Sequence, residues 1–328
     1  MASVFITGST GFMGVHLALR LANDGHTVKA LCRDVNKASE LRHPNIQLVK
    51  GDIANPDSLR KGMASCDQIY HLAALAKPWD KDPLAFSKAN IQGTINVLDA
   101  AKICGVKKIV ITSTAGVLGY SANGETIDET LRKQVELSTA YEQTKLQGEE
   151  IARRAAKEGF HVVIVNPTRV YGPGVLSQSN STTKMIKQFS LGKWRIIPGD
   201  GEGVGNYVYV DDVIQGHILA MEKGRSGERY ILGAENASFN QFFEKLRTHT
   251  NQQHRLFNLP LGLMLGVSGT MQFMADKFGI RPLITPPFIR KYAQKAYLTH
   301  QKAATELGYQ PLSLDEGIKK TLAWLKNN

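Results

Sequence analysis

Cysteine is scarce in this chain. Cys32, Cys66 and Cys104 are the only three in 328 residues, and they lie far apart. No pair has metal-ligand spacing, and an odd count in a chain of this size excludes a disulfide framework. The thiols are expected to be small buried hydrophobes in a reducing compartment, the cytoplasm, with no metal bound. Glycine and proline, 30 and 12 residues, follow no period, which excludes collagen-like and low-complexity architectures. A hydrophobic content of 42% outweighs chain entropy and excludes dominant disorder. No charged leader or cleavage site precedes Ala2 to Thr7, which already reads as a strand, so no targeting segment is expected.

A clean membrane-spanning run is also missing. The most apolar tract, Leu256 to Met274, is broken by Asn258, Pro260, Gln272 and the glycines 262, 266 and 269, which makes a poor spanning helix. It is expected to be buried or to cover a substrate, with peripheral membrane contact as the alternative. Acidic residues are outnumbered, 29 against 40 basic, for a net charge of +11. From Gln241 onward 12 Lys and Arg stand against 5 Asp and Glu, so the excess is C-terminal. Such a surface favours anionic partners. Nucleic acid is not expected, because no aromatic-interleaved basic platform or helix-turn-helix pattern occurs.

What is present is an alternation of short β-branched runs and amphipathic stretches. Strands are expected at Val4 to Thr7, Thr27 to Cys32, Ile46 to Lys50, Gln68 to Leu72, Lys108 to Thr112 and His161 to Asn166. Helices are expected between them, notably at Leu84 to Cys104 and Ser138 to Glu158. This is the signature of β-α-β units and of an α/β fold with a doubly wound parallel sheet, a Rossmann architecture. After Pro167 the rhythm breaks. Residues 1–170, rejoined by 206–233, are expected to bind a dinucleotide. Residues 171–205 and 234–328 are expected to form a smaller, mostly helical substrate domain.

The first strand runs into Thr7-Gly8-Ser9-Thr10-Gly11-Phe12-Met13-Gly14. Gly8 permits the tight turn, Gly11 lets backbone N–H groups approach a pyrophosphate, and Gly14 lets the helix pack closely. The helix N-terminus adds its positive dipole end. Arg33, with Lys37 nearby, stands where the adenosine ribose would lie, and a guanidinium pairs with a 2′-phosphate. NADP(H) is therefore favoured, and Asp34 leaves NAD(H) open. Asp52 and Ile53, after the third strand, are expected at the adenine edge. Tyr141 and Lys145, four apart on a helix, share a face. A neighbouring ammonium is expected to lower the phenol pKa and fit the tyrosine for proton transfer. Thr112, Ser113 and Thr114 place hydroxyls at the ligand-binding edge of the sheet.

These segments resemble the extended short-chain dehydrogenase/reductases, the NAD-dependent epimerase/dehydratase superfamily. Its members include sugar-nucleotide epimerases, dihydroflavonol reductases and 3β-hydroxysteroid dehydrogenases. The resemblance extends through His71-Leu72-Ala73-Ala74, Asn90, Asn166-Pro167-Thr168, Tyr171-Gly172-Pro173-Gly174 and Val210-Asp211-Asp212-Val213. It implies Tyr141 as general acid/base, Lys145 on the nicotinamide ribose, and Thr114 as the catalytic hydroxyl. It places Thr10, Phe12, Met13, Leu72, Ala73, Ala74, Asn90, Thr112, Pro167 and Thr168 around the cofactor. A homodimer is expected on the same ground.

Departures narrow the reaction. Ala115 and Gly116 stand where sugar dehydratases carry an Asp-Glu pair. Gly205-Asn206-Tyr207 lacks the arginine that many nucleotide-sugar enzymes use on a diphosphate, and Val117-Leu118-Gly119 replaces Val-Tyr-Gly. The expected activity is NADP(H)-dependent hydride transfer to or from the carbonyl or secondary alcohol of a largely apolar molecule. The alternative is an NAD-retaining sugar-nucleotide epimerase. Trp79, Thr114, Leu118 and Tyr171 are the expected substrate contacts. Phe288 to Leu298 reads as an amphipathic helix with Arg290, Lys291 and Lys295 on its polar side.

Overall fold

The computed structural model describes residues 1–121, 123–130, 137–176 and 180–327. In chain order the strands are β1 (Ser3–Thr7), β2 (Thr27–Cys32), β3 (Ile46–Lys50), β4 (Gln68–His71), β5 (Lys108–Thr112), β6 (His161–Pro167), β7 (Arg169–Tyr171), β8 (Ile196–Pro198), β9 (Val204–Tyr209), β10 (Arg229–Leu232), β11 (Glu235–Ser238) and β12 (Phe257–Leu259). Seven form one sheet in the order β10-β6-β5-β4-β1-β2-β3. Every pairing in it is parallel.

Helices cover both faces of this sheet, which explains its unbroken apolar strands. The two-residue period of a strand divides them between two cores. Val4, Ile6, Val110, Val163 and Val165 pack toward the helices Phe12–Asn23 and Val210–Lys223. Phe5, Ile109, Ile111, Val162 and Ile164 pack toward the opposite face, with Leu59, Val97 and Ala152. Each fully buried side chain of this size contributes roughly 2 kcal/mol.

A three-stranded sheet, β11-β9-β7, stands beside the large one. The boundary expected at residue 170 falls inside β7. Asn206 to Tyr209 pairs in the small sheet, so the return to the large sheet is made by the helix Val210–Lys223 and β10. A third apolar cluster, containing Phe189, Tyr207, Phe242 and Ile318, joins β9 to the helices Ser181–Ser190, Phe239–Thr250 and Leu314–Asn327.

The helix expected at Leu84 to Cys104 runs without a break from Ala85 to Ile103 and widens into a π turn at Lys88–Gln92, which holds Asn90, whose side chain accepts the Leu75 N–H at 2.7 Å. One expected helix is corrected. Phe288 to Leu298 is helical only within Pro286–Lys291. Beyond it the backbone is extended because edges of other segments capture it. Ala296 N–H donates to Val204 O at 3.1 Å, and Ile127 N–H donates to Tyr297 O at 2.7 Å. Of the two places expected for the apolar tract, the core is the one it does not take: it forms the helix Leu261–Phe278, in which only Ser268 and Ala275 are buried. Among the described residues, no helix is long and apolar enough to cross a membrane.

Candidate active site

The carboxyl ends of β1, β2, β4, β5 and β6 open onto one cleft of about 1300 Å³. At its start, Gly8 turns the chain with φ +71°, and a Cβ there would lie 2.6 Å from Ala73 N. Gly14 is closer still: its Cβ would lie 2.1 Å from Gly8 O. Gly11, by contrast, would meet only Gly8 O, at 3.1 Å. Its open side faces the cleft at the N-cap of the 12-residue helix Phe12–Asn23. Free N–H groups at a helix start, with no Cβ in front of them, fit a pyrophosphate.

The loop is braced by a hydrogen-bond chain to the helix Ala140–Lys157. Thr7 hydroxyl donates to His71 Nδ1 (2.7 Å), and Thr94 hydroxyl donates to Asn90 O (2.8 Å). His71 Nε2–H therefore donates to Thr94 Oγ1 (3.2 Å). Asn90 Nδ2 then donates to Thr144 Oγ1 at 3.0 Å. Burial, reinforced by the Lys145 charge, lowers the His71 pKa to about 3, so the ring stays neutral.

At the far end of β2, Arg33 is exposed and lines the cleft. Asp34 is engaged elsewhere: its carboxylate caps the following turn by accepting the Asn36 N–H at 3.0 Å. Asp52 accepts the Ala54 N–H at 2.9 Å and lies on the cleft with Ile53.

Thr139 starts the helix Ala140–Lys157, accepting the Glu142 N–H and donating to Glu142 Oε2 at 2.8 Å. Tyr141 and Lys145 follow one turn apart on the cleft wall. Lys145 Nζ donates to Thr112 O at 2.6 Å. Burial lowers its pKa to about 8, against the opposing pull of the Glu149 carboxylate. The expected lowering of the Tyr141 pKa is overturned. Burial pushes the phenol up to about 12, only partly offset by a hydrogen bond from the Thr114 hydroxyl. Desolvation of a phenolate outweighs that one bond, and the ammonium is turned toward a backbone carbonyl. Thr114 is itself held from behind: Asn166 Nδ2 donates to Thr114 O (3.0 Å) and to Glu149 Oε1 (2.6 Å).

The cleft thus gathers Gly8, Thr10, Gly11, Phe12, Met13, Gly14, Arg33, Asp52, Ile53, Leu72, Ala73, Ala74, Thr112, Thr114, Tyr141, Lys145, Pro167 and Thr168. Five expected residues stand off its wall. Lys37 is exposed and 3.9 Å from Asp34. Asn90 is buried and positions the Leu75 loop and Thr144. Trp79 Nε1 donates to Asp276 at 3.2 Å and ties its loop to the helix Leu261–Phe278. Leu118 is packed with Val117, Ile127 and Ile231. Tyr171 is 1% exposed, with its hydroxyl on Leu314 O. The last two face the interior, where apolar clusters take them up.

Sequence reasoning missed three charged groups on the wall. Lys291 pairs with Glu142, the neighbour of Tyr141, and both side chains are largely buried. Arg169 donates to Tyr207 hydroxyl at 3.1 Å and stacks on the rings of Tyr207 and Phe239. Its guanidinium covers Gly205, whose Cβ would lie 2.3 Å from Cζ. The place judged to lack an arginine is therefore cationic, supplied from β7, which pairs with β9. The available signal for Arg169 was its place in the chain, next to Thr168 at the carboxyl end of β6. None existed for the pair across 149 residues.

Leu263, Met264, Val267, Ile284 and Phe288 give the remaining wall an apolar surface. Comparison with known proteins matches this geometry. A putative dihydroflavonol 4-reductase of Synechocystis sp. is 32% identical over 99% of this chain and 94% of its own. Sterol demethylase protein B of Methylococcus capsulatus is 28% identical over 99% and 98%. Among solved structures, gox2253 superposes with TM-score 0.81 at 31% identity, covering 100% of this chain and 98% of its own. UDP-glucose 4-epimerase of Thermotoga maritima, with UDP-glucose, gives 0.81 at 25% identity and 99% coverage of both chains. Matched by the family model over residues 4–233, from the first strand of the large sheet through the last, this oxidoreductase of CH–OH and C=O groups belongs to the NAD dependent epimerase/dehydratase family.

Proposed function

We propose that the chain is an NADP(H)-dependent reductase of a ketone carried by a largely apolar molecule, reversible with the secondary alcohol. The observation that carries this reading is the placement of Tyr141 and Thr114 between the glycine loop and a wall of Leu263, Met264, Val267, Ile284 and Phe288. Pockets of apolar walls with few polar groups suit such ligands. Dehydrogenases of sterol 4α-carboxylates among the relatives support the substrate class. Arg33 on the cleft, with Asp34 turned to its cap, supports NADP(H) over NAD(H).

The nicotinamide, when bound, supplies or accepts the hydride. The rest falls to side chains. Thr114 orients the substrate oxygen, and Tyr141 delivers a proton to that oxygen as the C–H bond forms. With a pKa near 12 the phenol is fully protonated at neutral pH, which suits it to the acid role. Lys145, its ammonium held by Thr112 O, stands ready for the ribose hydroxyls. The chain is further proposed to work as a homodimer in the cytoplasm, a compartment supported by its three free thiols.

Cofactor consumption over a panel of ketones and secondary alcohols, with NADPH and NADH in parallel, tests the reading. Absence of turnover on every apolar ketone overturns it. Arg169 over Gly205 favours one second reading, a nucleotide-sugar epimerase, because it restores a cation where a diphosphate would lie. Natively purified protein carrying tightly held NAD, without net redox turnover, would select that reading.

A further inference from the structure

The helix Leu261–Phe278 and the loop behind it carry an unusual surface. Leu263, Val267, Phe273, Phe278, Ile280 and Leu283 are all about half exposed or more, and Leu283 reaches 84%. Leu263, Val267, Met274 and Phe278 lie within about 60° of one another around the helix axis, one continuous stripe. Cβ atoms added at Gly262, Gly266 and Gly269 would meet nothing within 4 Å, so at these positions no other described residue covers the helix. A monomer in water seldom leaves such a patch open.

The charge around the stripe is one-sided. Between Arg255 and Arg290 the chain has four basic residues and one acid, Asp276. That acid is engaged by Trp79 and Gln272. Lys277 lies 5.7 Å over the Phe273 ring and Arg255 lies 5.5 Å over Phe257, so cations stand beside exposed aromatic rings. The stripe is also continuous with the cleft, because Leu263 and Val267 both line the cavity and reach its outside.

We infer that this helix face docks on an anionic phospholipid bilayer, and that the cleft takes its apolar substrate from that surface. An apolar stripe rimmed by Lys and Arg is the chemistry of an interfacial helix. A second copy of the chain fits less well. It would set cation against cation and close the mouth at Leu263 and Val267. The docking stands on the surface alone, whereas delivery of substrate through it rests on the proposed ketone reductase reading.

The test is flotation of the full chain with phosphatidylcholine vesicles containing roughly a third phosphatidylglycerol, against phosphatidylcholine alone. Binding is expected to the anionic vesicles and to weaken with salt. Phe273→Ser/Phe278→Ser/Leu283→Ser should lose at least about tenfold in partitioning. Lys277→Glu/Arg281→Glu should lose roughly fivefold or more per residue. These positions lie off the cleft wall, so NADPH binding and turnover of a dissolved ketone should persist in every variant. Circular dichroism guards against misfolding. No flotation, or equal flotation of the triple serine variant, overturns the proposal. So does a dimer in sedimentation that this variant dissociates, which would make the occupant a second copy. Vesicle binding without ketone turnover would sink only the catalytic reading, and turnover without vesicle binding only the docking.

Discussion

Gly14→Ala is expected to cost about 2 kcal/mol or more, while the same substitution at Gly266 should stabilise. Both glycines lie in helices, where alanine alone would gain about 1 kcal/mol. At Gly266 nothing lies within 4 Å of the new methyl, so that gain should survive. At Gly14 the methyl would lie 2.1 Å from Gly8 O and 2.8 Å from Ser9 Cα. Both are backbone atoms, and no flexible side-chain end can yield. Overpacking of this kind costs about 3 kcal/mol, which outweighs the propensity gain. Relief requires the helix to move away from the loop, and that displaces the N–H groups proposed to hold the pyrophosphate. Urea midpoints of the two variants and the parent, with NADPH affinity from fluorescence titration, measure both effects. Gly14→Ala should fall in stability and weaken NADPH binding at least about tenfold, a loss of roughly 1.4 kcal/mol. Parent-like values for both would refute the argument from close packing.

Tyr141→Phe should lower kcat by about a hundredfold or more and leave the NADPH Kd within a factor of about two; an unchanged kcat in stopped-flow absorbance removes the tyrosine from the proton transfer. Arg33→Ala should weaken NADPH by about tenfold to a hundredfold through loss of charge-assisted bonds and leave NADH nearly untouched; equal effects on both count against phosphate recognition. Lys145 has a folded pKa near 8 against 10.5 for a free lysine, so the unfolded chain binds more protons between those values. Its contribution to stability should therefore rise with pH across that window, and kcat/KM should fall above about pH 8 as the ammonium is lost; a flat profile for both, relative to Lys145→Met, contradicts the buried ammonium. Glu142→Gln should destabilise by about 3 kcal/mol by stranding the buried Lys291 charge, and Glu142→Gln/Lys291→Met should recover most of it in urea unfolding; no recovery means that the pair is not coupled.

The amino-acid sequence determined the parts of this protein that obey short-range rules. Strands β2, β3 and β5 begin and end where the runs expected for them do, because the runs need no partner to be recognised. The glycine loop was legible because its spacing answers to one steric demand, a helix start pressed against a turn. Tyr141 and Lys145 were legible because one helical turn fixes their shared face. Tertiary packing alone decided the rest. Burial reversed the expected shift of Tyr141. Capture by Val204 and Ile127 drew Lys295 and Leu298 out of a helix that their own spacing supports. Glu142 met Lys291 across 149 residues, a distance over which periodicity carries no information. The apolar tract, expected to be buried or to cover a substrate, divides between the cleft wall and an exposed face, because hydrophobicity records a residue's aversion to water and leaves unsaid which surface will relieve it.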